Sequence, residues 1–78
     1  MKKIKLIDYL KDCDEDDIEI SQWFKKKGET FTAKEPVLEV LVGKTETEVS
    51  FGKNGTLLEI LCDEGEIVSV NDVIAKIE

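Results

Sequence analysis

The chain has 78 residues, including 18 acidic residues, 11 Lys, no Arg and no His, and its formal net charge is −7. This length suits a single domain, which we expect to span residues 1–78. Without His, the chain lacks the commonest general base and metal ligand, and an acidic chain without Arg lacks the electrostatic footprint of a nucleic-acid-binding protein. No apolar run approaches the roughly 18 residues of a membrane span, and charges interrupt residues 4–8 after the basic start. We therefore expect a cytoplasmic protein with no nucleic-acid or membrane partner.

Short apolar runs, either alternating with polar residues or rich in β-branched residues, follow one another along the chain. They occupy residues 4–6, 18–24, 37–42, 57–62 and 73–77. Gly and Asn separate them, and Pro36 is expected at the start or edge of a strand. Half-buried strands produce this pattern, and no window has a helical period with capping signals. The sequence therefore predicts an all-β domain, a small sandwich or flattened barrel.

An internal repeat becomes visible when the chain is shifted by 37 positions, so that Gly28-Glu29 falls on Gly65-Glu66. The other aligned pairs are Trp23 with Ile60, Phe24 with Leu61, Phe31 with Val68, Lys34 with Asn71, Val37 with Ile74 and Val40 with Ile77. Chance matching of apolar residues is the alternative explanation, but the paired Gly-Glu and its flanking spacing favour a true repeat. Half of such a domain cannot bury its apolar face alone. We therefore expect two four-stranded sheets related by a pseudo-two-fold axis.

The middle of the repeat, residues 40–47, predicts a hairpin whose two-residue turn is Gly43-Lys44. Glycine at the first central position fits a type II′ turn. The expected cross-strand pairs on the core face are Val42 with Thr45, Val40 with Thr47 and Leu38 with Val49, which leaves Glu39, Leu41, Glu46 and Glu48 on the other face. A surface lysine is most often only a solubilising residue. Lys44, however, lies on the tightest turn at the centre of the repeat, where a carrier protein would hold a flexible prosthetic arm.

From about Lys3 to Glu78, the sequence resembles a lipoyl domain of the 2-oxoacid dehydrogenase complexes, a relative of the biotinyl carrier domains. Residues 23–29, Trp-Phe-Lys-Lys-Lys-Gly-Glu, resemble the family segment W-x-x-K-x-G-D. Residues 35–40 resemble the strand that leads to the modified lysine, and residues 57–66 and 73–77 resemble the second half of the domain. Lys44 to Gly55 keeps the family spacing from that lysine to the following glycine.

The resemblance implies that Lys44 carries lipoate in amide linkage and is the cofactor-binding residue, with no catalytic and no metal-binding residue. It implies a carrier domain rather than an enzyme, alone or within a dihydrolipoamide acyltransferase, and a monomer when isolated. The implied partners are a lipoate ligase and the components of a 2-oxoacid dehydrogenase complex. The arm would transfer acyl groups and electrons between those components.

The hairpin differs from the family pattern Glu-Thr-Asp-Lys-Ala at two places: Leu41 replaces the acidic residue, and Gly43 replaces the Asp. In the family these acids are linked to recognition by the ligase or by partner enzymes. Lys34 also stands where the family has Gly. An unmodified binding or structural module is therefore an alternative. A biotinyl carrier is another, but the Met residues that flank a biotinylated lysine are replaced by Gly43 and Thr45.

Two other features have a functional and a structural interpretation. Asp12, Asp14 and Asp16 have the spacing of the first calcium ligands of an EF-hand loop, but Asp17 and Trp23 replace the required Gly and Glu, so a solvated loop is favoured. Cys13 and Cys62 lie 49 positions apart, which is no metal-site or redox-motif spacing. We expect two thiols rather than a disulfide, with Cys62 packed as a small hydrophobic residue.

Overall fold

The computed structural model describes residues 1–10 and 17–78, and strands dominate this part of the chain. The strands are β1 (Lys2–Lys5), β2 (Ile18–Trp23), β3 (Thr30–Phe31), β4 (Pro36–Val42), β5 (Thr45–Ser50), β6 (Gly55–Ile60), β7 (Ile67–Val68) and β8 (Val73–Ile77). A single 3₁₀ turn, Leu6–Asp8, follows β1. Within residues 1–10 and 17–78, this three-residue turn is the one helical element, and no helix there is long and apolar enough to cross a membrane.

The strands form two four-stranded antiparallel sheets. The first sheet has the order β1-β8-β6-β3, and the second has the order β5-β4-β2-β7. Replacing each strand of the first order by the strand four places later or earlier in the chain gives the second order: β1 becomes β5, β8 becomes β4, β6 becomes β2 and β3 becomes β7. The predicted all-β fold, a flattened sandwich of two pseudo-two-fold-related sheets, is thus confirmed.

The strand pairing repeats with the predicted shift of 37 residues. Ile20 pairs with Val40 in the second sheet, and Leu57 pairs with Ile77 in the first. Both pairings contain an irregularity directly after this position. The turns repeat as well, because the Gly28 N–H donates to Leu57 O at 2.7 Å and the Gly65 N–H donates to Ile20 O at 2.7 Å. Two halves with the same hydrogen-bonding scheme therefore build the domain.

The core lies between the two sheets and takes side chains from both halves. Its largest fully buried members are Phe31, Ile4, Leu6, Ile18, Ile20, Leu38, Leu57, Ile74 and Ile77, together with Val37 and Val40. The Phe31 and Phe51 rings add an edge-to-face contact, with centroids 5.3 Å apart. No polar or charged residue of the described part is buried. Burial of this apolar set is the main force that holds the sheets together.

The largest differences from the predicted element boundaries are at β1 and β6. The first strand ends at Lys5 instead of continuing through Leu6, because the Leu6 carbonyl accepts hydrogen bonds from Tyr9 N–H at 2.9 Å and Leu10 N–H at 2.8 Å. Leu6 is nevertheless fully buried. The expected strand over residues 57–62 instead covers Gly55–Ile60. Leu61 and Cys62 are not part of the strand, because the N–H groups of both residues donate to the same acceptor, Ile74 O.

Candidate functional site

The hairpin between β4 and β5 has the predicted pairing along its length. Val42 lies opposite Thr45, which leaves Gly43 and Lys44 as the two turn residues. Gly43 has φ +63°, a left-handed value that matches glycine at the first central position of a hairpin turn. A Cβ added at Gly43 would meet nothing within 4 Å, so backbone conformation rather than space explains the glycine.

Lys44 projects from this turn into solvent. Its side chain makes no hydrogen bond and no ion pair with residues 1–10 or 17–78. Below the turn, Leu38, Val40 and Val49 are buried in the core. The amine is therefore freely accessible, while the strands beneath it are fixed by packing.

The turn lies at one end of the domain, and the C-terminal residue lies at the other. β2 begins beside the turn, because Ile18 pairs with Val42. β6 begins beside Glu78, whose N–H donates to Thr56 O at 3.0 Å. The last residue of β2 meets the residues after β6 near the middle of the domain, where Trp23 Nε1 donates to Cys62 O at 2.9 Å. The domain is 29 Å along its longest axis. A group attached to Lys44 would thus extend away from the rest of the molecule.

The outer surface of the second sheet borders the turn and combines acidic and apolar side chains. One row across the sheet, given by the strand register, is Glu46, Leu41, Glu19 and Ile67. Leu41 is partly exposed, as the sequence predicted for the outer face, and Ile67 is 57% exposed. A partner that reaches Lys44 over this sheet would meet both kinds of side chain.

Cys62 is a free thiol that packs against the core, as predicted. Burial raises its pKa, and the nearby carboxylates of Glu66, Asp72 and Asp63 raise it further. A raised pKa leaves little thiolate at neutral pH, so Cys62 has the properties of a packing residue and not of a nucleophile. Cys13 and the calcium interpretation of residues 12–16 lie outside the described residues.

The ion pair between Lys25 and Glu35 was not predicted from the sequence. Lys25 Nζ lies 3.2 Å from Glu35 Oε2, and the Thr32 N–H donates to Glu35 Oε1 at 3.0 Å. The hydrogen bond from Lys25 is the main reason that the pKa of Glu35 lies below its ordinary value, and the hydrogen bond from the Thr32 N–H lowers this pKa further. The repeat has a counterpart of the Thr32 hydrogen bond, because Glu35 aligns with Asp72, which accepts from the Ser69 N–H in the same way. It has none for the ion pair, because Lys25 aligns with Cys62.

Among the described residues no group of His, Cys, Asp and Glu is arranged to hold a metal ion. A shallow groove of about 440 Å³ lies between Trp23 and Ile60, away from the hairpin. Lys44, the cofactor-binding residue expected from the sequence, is exposed on the hairpin turn.

Comparison with known proteins identifies a family. The family model described as "Biotin-requiring enzyme", that of the biotinyl/lipoyl domains, matches residues 12–77. The chain is 47% identical over 58 residues to the dihydrolipoyllysine-residue acetyltransferase component of the pyruvate dehydrogenase complex of Corynebacterium glutamicum. It is 37% identical over 59 residues to the succinyltransferase component of the 2-oxoglutarate dehydrogenase complex of Bartonella vinsonii subsp. berkhoffii. These matches cover 74% and 76% of this chain but only 9% and 14% of the relatives.

The fold has a solved counterpart in the lipoyl domain of the 2-oxoglutarate dehydrogenase complex from Azotobacter vinelandii, determined in solution. The TM-score is 0.79 at 24% sequence identity, over 100% of this chain and 96% of that one. The sandwich of two symmetric sheets, the exposed lysine at its hairpin and the match over residues 12–77 agree with one another. This chain belongs to the biotinyl/lipoyl domain family and is similar to the lipoyl domains of 2-oxoacid dehydrogenase acyltransferases.

Proposed function

We propose that the domain is a lipoyl carrier and that Lys44 is the attachment residue. The observation that carries the proposal is the exposed Lys44 amine, unpartnered within the described residues, in a two-residue turn that packed strands hold in place. An amide bond would form between Lys44 Nζ and the carboxyl carbon of an activated lipoate, while the activating group leaves and the amine loses its proton. The residues at the turn fit such a group because nothing crowds it.

The chain's own contribution is presentation. Gly43 allows the tight turn, and the buried residues of β4 and β5 keep the turn from folding against the sheet. The lipoyl group, when bound, supplies a disulfide-containing ring that accepts electrons and an acyl group. The rest of the domain keeps the arm in solvent and offers surfaces that partner enzymes recognise.

The relatives named above are components of 2-oxoacid dehydrogenase complexes, which supports such a complex as the working partner of this domain. A lipoate ligase is the second proposed partner, because lipoate must be joined to the lysine by another enzyme. The domain itself would be a carrier and not a catalyst. An acyltransferase activity would reside in other parts of such a protein, since this chain spans only a small share of the relatives' length.

The test is the intact mass of the full chain after expression with an active lipoate ligase and added lipoate. We expect a gain of one lipoyl group in the wild type and none in Lys44→Ala. Lys53→Ala is the matched control, because Lys53 is also exposed and also follows a glycine with positive φ, Gly52 at +72°. A gain that persists in Lys44→Ala would overturn the assignment, and its loss in Lys53→Ala would move the attachment to Lys53.

A second candidate, an unmodified binding module, is favoured by one observation: Leu41 and Gly43 occupy positions near the lysine that are acidic in the lipoyl pattern. An unchanged mass in a culture that fully modifies a standard lipoyl domain would support it. Expression with a biotin ligase tests the remaining family alternative, because a biotinyl group and a lipoyl group differ in mass. We expect no biotinyl gain.

A further inference from the structure

The pseudo-two-fold symmetry provides an internal control for the surfaces of the domain. Side chains that the fold itself requires should be similar at equivalent positions of the two sheets, whereas side chains that serve a partner of one sheet need not be. The outer surface of the second sheet, here called the acidic face, consists of Glu19, Glu39, Leu41, Glu46, Glu48 and Ile67. Its strands contain four Glu and no Lys.

The equivalent row of the first sheet has the opposite charge. On the acidic face Glu48 pairs with Glu39, and Glu39 pairs with Gln22. At equivalent positions of the first sheet, Lys3 pairs with Lys76, and Lys76 pairs with Glu59. Among the described residues, the row of the first sheet has an ion pair, Lys76 Nζ to Glu59 Oε1 at 3.6 Å, and the row of the acidic face has none. Lys3 and Lys76 repel each other as Glu39 and Glu48 do, but Glu59 offsets part of that repulsion in the first sheet, whereas Gln22 offsets none on the acidic face. Sheet stability therefore favours the row of the first sheet over the acidic row.

The apolar residues of the acidic face have no apolar counterparts in the first sheet. The shift of 37 residues relates Leu41 to Glu78 and Ile67 to Thr30. Glu19 lies between Leu41 and Ile67 in the strand register, so the two apolar side chains stand about 10 Å apart on the same surface. Leu41 and Ile67 are thus apolar at two outer positions that the first sheet fills with polar residues.

We propose that the acidic face is the docking surface for the enzyme that attaches the group to Lys44, and that this enzyme presents Lys or Arg side chains around an apolar contact. The proposal rests on Lys44 being the attachment residue. Leu41 is three positions from Lys44, and the enzyme must enclose the turn, so its body meets this end of the sheet. The carboxylates steer the encounter and the apolar pair contributes contact area.

The test of the charge component is the kcat/KM of a purified lipoate ligase for lipoyl transfer to the full chain, measured by mass in low and high salt. We expect Glu39→Gln/Glu48→Gln to lower kcat/KM about 5-fold at low salt, with the difference vanishing at high salt, where charges are screened. The matched control is Glu59→Gln/Glu78→Gln, which removes two charges at the first sheet and at the far end of the domain. We expect less than a 2-fold change from this control pair.

The apolar component is tested by Leu41→Thr/Ile67→Thr, with Leu61→Thr as the control, since Leu61 is 41% exposed and lies after β6 of the other sheet. We expect a higher KM at both salt concentrations for the double variant and an unchanged KM for the control. Circular dichroism of every variant verifies that the sheets are retained.

The outcomes separate the two proposals. A wild type that gains no lipoyl group overturns the carrier function, and the docking face falls with it. The wild type could be modified on Lys44 while the two Glu→Gln double variants both slow transfer to the same extent. That result would show that only the net charge matters, and it would overturn the docking face but not the carrier function. Equal transfer to all variants overturns the docking face in the same way.

Discussion

Gly43 is the residue on which the geometry of the hairpin turn depends. Its φ of +63° is a value that a β-branched residue adopts only with strain. We expect Gly43→Val to lower the free energy of unfolding by about 2 kcal/mol, measured by urea denaturation. Gly43→Asn should cost much less, because asparagine tolerates this conformation. Equal stabilities of the two variants would show that the turn relaxes to another form.

Lys44, the proposed attachment residue, is expected to contribute little to stability. Because its side chain is exposed and makes no hydrogen bond or ion pair with the described residues, Lys44→Ala should change the free energy of unfolding by less than about 0.5 kcal/mol. The measurement is the same urea series, with unmodified wild-type protein as reference. A loss of several times that size would mean that the amine has a structural partner, and the site assignment would need revision.

Glu35 gives the fold a predictable response to acid. Its pKa is lowered in the folded state, so ionisation favours folding. The associated stability is present above the ordinary value near pH 4.5 and is lost as the pH falls through the lower folded pKa. We expect Glu35→Gln to unfold with a weaker pH dependence than wild type between pH 6 and pH 3.

Lys25→Met removes the cation that contributes most to the lowered pKa of Glu35. In this variant the Glu35 pKa, followed by carbon NMR, should rise toward its ordinary value. An unchanged pKa would assign the shift to the Thr32 N–H hydrogen bond alone.

At the scale of elements, the two charged turns at residues 26–29 and 63–66 have the same hydrogen-bonding pattern. Glu29 accepts a hydrogen bond from the Lys26 N–H at 2.7 Å, and Glu66 accepts one from the Asp63 N–H. We expect Glu29→Ala and Glu66→Ala each to lower the free energy of unfolding by about 0.5–1.5 kcal/mol. Glu46→Ala, an exposed carboxylate on β5, is the control and should be neutral. Unequal costs in the two turns would show that the symmetry of the fold is not a symmetry of stability.

The sequence contained enough information for the repeat, the hairpin register and the exposure of Lys44. These features depend on alternation and turn residues, which act over short distances. It could not give the end of β1 at Lys5, because alternation of buried residues continues through Leu6 in the 3₁₀ turn. Nor could it predict the hydrogen bond that Trp23 Nε1 donates to the Cys62 carbonyl, because that contact depends on how the two halves pack.

At the scale of the whole molecule, each sheet is completed by a short strand from the other half. β3, from the first half, pairs with β6, and β7, from the second half, pairs with β2. Neither sheet can therefore form fully from one half of the chain. The core is shared as well, since buried side chains from both halves form one cluster. The exchanged strands and the shared core thus favour one cooperative unit over two small domains.

This exchange of strands predicts that the domain unfolds in a single transition. Ile20 and Leu57 are equivalent and fully buried, one in each half. Ile20→Ala and Leu57→Ala should each lower the free energy of unfolding by about 2–5 kcal/mol. Because each change destabilises the shared core, the fluorescence of Trp23 at the junction and the circular dichroism of all strands should shift together in both variants. Separate midpoints for the two signals in either variant would mean that the halves unfold independently, against the interlocked sheets.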